Sequence, residues 1–194
     1  MTRVFALLVA AAALLAGSSG ASAQGFDMRD IMGGGPNFRG GFGGGGSGPI
    51  SRTTVSFAGN YSPGTILINT AERRLYLVLP NGQALRYGIG VGRDGFRWGG
   101  THRISAKKEW PGWTPPSQML RRRPDLPRHM AGGVDNPLGA RAMYLGSTLY
   151  RIHGSNEPET IGQAVSSGCF RMTNDDVTDL YSRVSVGTTV VVKN

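Results

Sequence analysis

The segment IHGSNEPETIGQAVSSGCFRM, residues 152–172, contains Cys169, the one cysteine of the 194-residue chain, and His153, one of its three histidines. A cysteine reacts as its thiolate, and at an ordinary pKa of about 8.5 only a few per cent of a thiol is ionised at neutral pH. A neighbouring imidazole can take that proton and later return it to a leaving amine. The intervening chain is long enough to leave a strand, make a short helix and return. The spacing therefore predicts a Cys–His pair for nucleophilic catalysis.

The residues around Cys169 suit the same chemistry. The turn 166–168 is small and contains glycine, so its N–H groups can form an oxyanion hole. Arg171 places a permanent cation two residues beyond the thiol, where it can lower the thiol pKa or hold a substrate carboxylate. The alternative is that Cys169 is a small buried hydrophobe and His153 a hydrogen-bonded core residue. Spacing alone leaves both interpretations open.

The N-terminus has the features of a targeting segment. Arg3 precedes the apolar run Phe5–Ala16, and Ala21-Ser22-Ala23 is typical of a cleavage site before Gln24. Residues 1–23 are therefore predicted to be a signal peptide, the alternative being a buried helix of a cytoplasmic protein. The run is too short for a membrane span, which takes about 20 apolar residues. We expect a secreted protein of the periplasm or cell envelope, and not one whose main task is nucleic-acid binding.

Composition narrows the classes further. A single cysteine excludes an intramolecular disulfide and any zinc site with two thiolates. The net charge of +9 favours an anionic partner, without distinguishing nucleic acid, lipid headgroups or an acidic wall polymer. Residues 24–59 are predicted to be a flexible Gly-rich linker, with a wall-contacting segment as the alternative. Residues 60–194 are predicted to be the folded domain.

Hydrophobic patterning predicts a mainly β domain with a few short helices. Strands are expected at 65–70, 74–79, 83–91, 103–110, 142–153 and 188–193, with an Asn81-Gly82 hairpin turn. Two helices are expected, a short one at 158–165 and a better one from Asn174, capped by Thr173 or Asn174 itself. The Pro- and Gly-rich stretch 111–140 is predicted to be a long loop or lid.

Two further patterns in the sequence are a run of closely spaced glycines and a set of three histidines. Gly88-Ile-Gly90-Val-Gly92 has the spacing of a phosphate-binding loop, but it ends a hairpin instead of opening a helix, which favours a bend or close packing. His102, His129 and His153 lie too far apart in sequence to form a local ligand pair, so a zinc site would require the fold to gather them. The sequence therefore predicts no cofactor and no metal.

The motif from His153-Gly154 to Ser166-Ser167-Gly168-Cys169-Phe170-Arg171-Met172 closely resembles the signature of the L,D-transpeptidases, the YkuD-type cysteine enzymes of bacterial peptidoglycan. The resemblance runs from about residue 63 to 193 and includes the segments 66–77, 110–116 and 136–142. One departure is Ser167, where many members have histidine, so a second imidazole cannot be invoked. The resemblance implies a β-sandwich or mixed-sheet fold of the L,D-transpeptidase type.

The resemblance also implies a mechanism. Cys169 would attack the carbonyl of diaminopimelate, the third residue of a tetrapeptide stem, releasing the terminal D-Ala and leaving a thioester. His153 would act as base and then acid, oriented by the main-chain carbonyl of Gly154. Backbone N–H groups of Ser167, Gly168 and Cys169 would stabilise the oxyanion.

The same resemblance suggests partners and contacts. An amine would resolve the thioester: a second stem gives a 3–3 cross-link, and a lysine of an envelope protein gives anchoring. Arg171 and Trp113 are predicted to contact the substrate, with the segment 110–123 as a lid over the cleft or, alternatively, an ordinary basic surface loop. A same-site hydrolase using water and a catalytically silent peptidoglycan-binding module remain the alternative functions.

Overall fold

The computed structural model describes residues 50–194. The predicted signal peptide, and the predicted linker up to residue 49, lie outside the described residues. The strands are β1 Thr53–Ser56, β2 Ile66–Asn69, β3 Arg74–Leu79, β4 Gln83–Gly88, β5 Val91–Gly92, β6 Gly100–Glu109, β7 Arg141–Leu145, β8 Arg151–His153, β9 Ala164–Ser166, β10 Phe170–Arg171 and β11 Thr189–Lys193. The helices are α1 Ser117–Arg122 and α2 Asn174–Arg183, with a 3₁₀ turn at Pro158–Thr160.

Nine of these strands form one mixed sheet in the order β1-β4-β3-β2-β11-β6-β7-β8-β10. The pairs β2–β11 and β8–β10 are parallel, and the remaining neighbours in the sheet are antiparallel. A second, two-stranded parallel sheet joins β5 and β9. A bridge between Gly90 and Arg171 connects the region before β5 to β10. The prediction of a mainly β, mixed-sheet fold with few short helices is confirmed.

The hairpin β3–β4 shows how local sequence sets the register. Leu75 and Leu77 are buried on one face of β3, as alternation in a half-buried strand requires. Asn81 and Gly82 have φ of 59° and 66°, left-handed values that Asn and Gly adopt more readily than other residues. The turn therefore pairs Leu79 with Gln83, and the predicted hairpin is confirmed.

The structure differs from the sequence patterns at three places. Residues 158–165 form only the 3₁₀ turn before β9 begins, because Ile161 is extended and Gly162 takes a φ of 89°. The expected loop 111–140 contains α1, built from helix-forming side chains between prolines. The strand β1 lies inside the range predicted as linker, and pairs its backbone with the edge of β4.

Helix α2 forms as predicted and covers one side of the sheet. The Thr173 hydroxyl accepts a hydrogen bond from the Asp176 N–H at 3.1 Å, capping the helix. Val177, Leu180 and Val184 form a buried stripe that packs into the main core. Within residues 50–194, no helix has the length and apolar character needed to cross a membrane.

Candidate active site

Strands β8 and β10 bring the two ends of the 152–172 segment side by side. They pair in parallel, with Ile152 opposite Phe170 and His153 opposite Arg171. Cys169 stands immediately before β10. Ile152 and Phe170 are buried in the main core, so alternation along the strands places the side chains of His153, Cys169 and Arg171 on the other face. The fold therefore places the two predicted catalytic residues on the same face of two paired strands.

The His153 ring is held in one orientation. Its Nδ1 lies 2.6 Å from the carbonyl oxygen of Gly154, and because a carbonyl oxygen only accepts, Nδ1 carries the proton. The other nitrogen, Nε2, is then a lone-pair acceptor. Burial lowers the pKa of His153 to about 3, and the Arg171 and Arg151 cations reinforce this against the opposing hydrogen bond to Gly154. The imidazole is therefore neutral at pH 7.

Position 154 requires a glycine for steric reasons. A Cβ there would collide with the Asn174 side-chain oxygen and would come within 3.0 Å of the Ala140 nitrogen. That Asn174 oxygen already accepts the Ala140 N–H at 2.8 Å. The start of α2 and the loop before β7 thus fix the carbonyl that orients His153.

Cys169 is partly exposed. Its Sγ lies 3.9 Å from the Leu149 carbonyl oxygen. Burial raises the pKa of the thiol, while the nearby cations Arg151 and Arg171 lower it in part. Since the pKa of the thiol is raised and that of His153 is lowered, the resting site holds a neutral thiol beside a neutral imidazole.

The turn before the cysteine is tightly specified. Gly168 has a φ of 109°, and a Cβ on it would lie 2.5 Å from the Tyr150 ring. Its N–H donates to the Ser166 hydroxyl at 3.1 Å, which in turn donates to the Cys169 carbonyl at 2.6 Å. The Trp98 indole N–H donates to the Gly168 carbonyl at 2.7 Å. The peptide groups on either side of Gly168 are therefore held rigidly.

Two residues that contact the candidate site, Trp98 and Arg151, were not identified from the sequence. Trp98 stacks on Tyr150, with ring centroids 4.3 Å apart and planes 9° apart, but it lies in a short glycine-rich loop without periodicity. Arg151 lies two residues before His153 on the same strand, which places both side chains on one face. That strand spacing was the signal that could have identified Arg151.

Replacing Trp98 with Phe is expected to keep the stacking on Tyr150 but remove the donor to the Gly168 carbonyl. Loss of one hydrogen bond at a partly buried carbonyl costs about 1 kcal/mol, and we expect the predicted acylation of Cys169 to slow by about 5-fold as the turn loosens. The rate is measured by intact-protein mass against time. The control is Trp110→Phe at an exposed tryptophan; equal rates for both variants would contradict the positioning role.

Arg171 and Trp113 are buried. The Arg171 side chain is 0% exposed, and its Nη1 lies 3.2 Å from Glu157 Oε2 and 3.1 Å from the Thr160 hydroxyl. Burial lowers its pKa to about 10, with Glu157 opposing that effect, so it remains a cation. Trp113 is 3% exposed within a small core of the 111–140 segment. In this arrangement neither side chain is open to direct contact with a substrate.

The glycines of the 88–92 segment pack beside the site, where Gly90 pairs with Arg171. A Cβ on Gly88, Gly90 or Gly92 would collide with Ile50, with the Thr160 carbonyl or with the Phe96 carbonyl, respectively, so these glycines serve close packing. Across residues 50–194, no group of three or more His, Cys, Asp or Glu side chains is arranged to hold a metal ion.

Comparison with known proteins agrees with the site geometry. Residues 63–192 match the family model described as the L,D-transpeptidase catalytic domain, YkuD. The chain belongs to the L,D-transpeptidase family. The probable L,D-transpeptidase ErfK/SrfK of Escherichia coli K12 is 40% identical over 136 residues, which cover 66% of this chain and 43% of that protein. The match thus spans less than half the length of ErfK/SrfK and of the probable L,D-transpeptidase YbiS of the same organism.

Two solved structures extend the comparison. One, described as a probable carnitine operon oxidoreductase of Brucella melitensis, is 49% identical with a TM-score of 0.51, covering 74% of this chain and 94% of that chain. L,D-transpeptidase 3 of Mycobacterium tuberculosis, in complex with a faropenem-derived adduct, is 14% identical with a TM-score of 0.55, covering 67% and 60%. The second is a likeness of fold alone. The name of the Brucella protein refers to another activity, that of an oxidoreductase. In this chain the glycines at 88–92 are packed against neighbouring groups and form no open phosphate-binding loop.

Proposed function

We propose that this L,D-transpeptidase family member acts on peptidoglycan stem peptides through a Cys169 thioester. The observation that supports it most is the ring of His153, whose Nδ1–H is fixed on the Gly154 carbonyl at 2.6 Å. This leaves Nε2 to serve as the base on the strand face shared with Cys169. That arrangement occurs within the residues that match the family model.

The reaction balances with these two side chains. Cys169 Sγ forms a bond to the carbonyl carbon of the diaminopimelate residue while its proton passes to His153 Nε2. The carbon–nitrogen bond to the terminal D-Ala then breaks, and the leaving nitrogen takes that proton. An acceptor amine next attacks the thioester, gives a proton to His153, and releases Cys169 as the thiol. Because His153 takes the thiol proton during the attack, the reaction starts from a neutral thiol and a neutral imidazole and requires no preformed thiolate.

The oxyanion would be stabilised by fewer donors than the sequence suggested. Since the Gly168 N–H already donates to the Ser166 hydroxyl, we assign the oxyanion hole to the N–H groups of Ser167 and Cys169. Within residues 50–194 the structure gives these two N–H groups no acceptor. Such preorganised donors aimed at developing charge are commonly a large part of catalysis.

The acceptor is proposed to be an amine, from a second stem or from a lysine of an envelope protein. The predicted signal peptide would deliver the enzyme to the periplasm, where both acceptors occur, and the predicted linker would tether the domain. Hydrolysis by water at the same site and binding without turnover are the competing functions. Acceptor choice depends on cleft shape and water exclusion, so the products must be identified directly.

The test is the intact mass of the full chain incubated with a disaccharide-tetrapeptide, with Cys169→Ala alongside. We expect a thioester adduct and D-Ala release for the unmodified protein, and neither for the variant. Adding an amine should yield a dimeric or lysine-linked product. An adduct resolved only by water would indicate a hydrolase. Binding by both proteins without any adduct would overturn the enzyme and leave a binding module.

A further inference from the structure

Two arginines from different segments converge on one aromatic ring beside the site. The guanidinium carbon of Arg93 lies 4.4 Å from the centroid of the Phe96 ring, and that of Arg122, at the end of α1, lies 6.0 Å from it. Arg93 follows β5 directly, whereas Arg122 belongs to the segment that the sequence suggested as a lid. The Phe96 ring thus connects the predicted lid segment 110–123 to the chain that follows β5.

Neither cation of this pair is matched by a carboxylate in the described part of the chain. Within residues 50–194 the guanidinium groups of Arg93 and Arg122 have no carboxylate in ion-pair range, whereas neighbouring arginines do. Arg97 lies 2.9 Å from Asp94 and Arg123 lies 2.7 Å from Asp125. Burial and the repulsion from Arg122 both lower the pKa of Arg93. Two like charges near the same ring together favour the binding of an anion close to both.

The pair lies against the turn that carries the nucleophile. The Arg93 N–H donates to the Ser166 carbonyl at 3.0 Å. The Phe96 carbonyl oxygen would be 3.4 Å from a Cβ on Gly168, the residue before Cys169. The backbone that carries both Arg93 and the aromatic ring is therefore packed on the turn 166–168. An anion bound by these arginines would therefore lie near the turn that precedes Cys169, not at a remote surface.

We propose that Arg93 and Arg122 together bind a carboxylate of the donor stem peptide, so that the lid and the strand hold the substrate jointly. This inference rests on the proposed function. The carboxylates concerned are the two on the residues that flank the bond to be broken, at the terminal D-Ala and on the diaminopimelate side chain, and they have the same chemistry. Arginine is suited to both, because its planar guanidinium forms paired hydrogen bonds with a carboxylate.

The experiment measures Cys169 acylation by intact mass as a function of tetrapeptide concentration, for Arg93→Gln, Arg122→Gln and the double variant of the full chain. Each single variant is expected to raise the half-saturating donor concentration by about 10-fold while the rate at saturation changes by less than about 3-fold. Arg121→Gln is the matched control, because it removes the same charge from the neighbouring exposed position of α1. It should behave as the unmodified protein.

Amidated donors identify the carboxylate. One donor carries an amide at the terminal D-Ala, and a second carries it on the diaminopimelate side chain. The donor that lacks the bound carboxylate should lose about 10-fold in apparent affinity with the unmodified protein, and nothing further with the double variant. Equal responses of both proteins to both amidated donors would overturn the proposal.

The two proposals fail in different ways. If the unmodified protein forms no adduct, the proposed function fails before the arginines are examined. If it forms the adduct and the arginine variants match Arg121→Gln in half-saturation, only the carboxylate subsite is refuted. A loss confined to the rate at saturation would also refute it, since that outcome indicates a role in shaping the turn instead of binding the donor.

Discussion

Replacement of His153 by Gln is expected to slow acylation of Cys169 at pH 7 by about 10²–10⁴-fold, the usual contribution of a positioned general base. The glutamine amide is polar and of similar size, but it has no basic nitrogen to take the thiol proton. Because burial raises the thiol pKa, little thiolate is present to compensate. The measurement is the rate of adduct formation at low donor concentration, followed by mass.

The matched control is His102→Gln. The His102 ring packs edge-on against Trp98, with centroids 5.0 Å apart, so it lies near the candidate site but on β6 instead of β8. Its replacement should change the acylation rate by no more than the loosening of Trp98 does, which is well below the general-base effect. Similar losses in both variants would show that the effect is structural and would contradict the role of His153 as base.

The pH profile of the same rate follows from the charge states. The pKa of His153 is lowered to about 3, so protonation inactivates the base only when the pH falls towards that value. From pH 8 down to pH 5 the low-concentration rate should therefore stay flat, since it reports the free enzyme. A solvent-exposed histidine would give a decline near pH 6.5. Such a decline in the unmodified protein would refute the buried, neutral imidazole.

Much of the fold could be predicted because its signals are local. The alternation in β3, the Asn81-Gly82 turn and the apolar stripe of α2 each depend on residues close in the chain. The failure at 158–165 has a different cause. Ala164–Ser166 forms a strand because it pairs with β5, about seventy residues earlier, and no local pattern reports such a partner.

The site divides in the same way. His153 and Cys169 could be proposed from the sequence because their chemistry is rare and their spacing permits contact, and their roles stay a prediction. The burial of Arg171 could not be predicted, because a buried and an exposed arginine look alike in sequence. Its burial depends on Glu157 and Thr160, which reach it through the 3₁₀ turn. Trp98 contributes through a hydrogen bond across the fold, which residue identity alone does not specify.

The largest effect on stability is expected at the buried ion pair. Replacing Arg171 with Met removes the cation and leaves the Glu157 carboxylate, 6% exposed, in a low-dielectric setting. Breaking a buried pair on one side costs about 3–5 kcal/mol. The free energy of unfolding from urea titration should fall by that amount. The control is Arg183→Met, because the Arg183–Asp179 pair is half exposed and surface pairs contribute about 0–1 kcal/mol.

A second variant separates charge from packing. Combining Arg171→Met with Glu157→Gln removes the stranded carboxylate, so the double variant should recover about half or more of the lost stability. No recovery would mean that Arg171 contributes through packing and its other hydrogen bonds instead of charge. Arg171 also lowers the pKa of both His153 and Cys169. The double variant should therefore raise the pH at which iodoacetamide alkylates the thiol, a shift that a purely structural role would not produce.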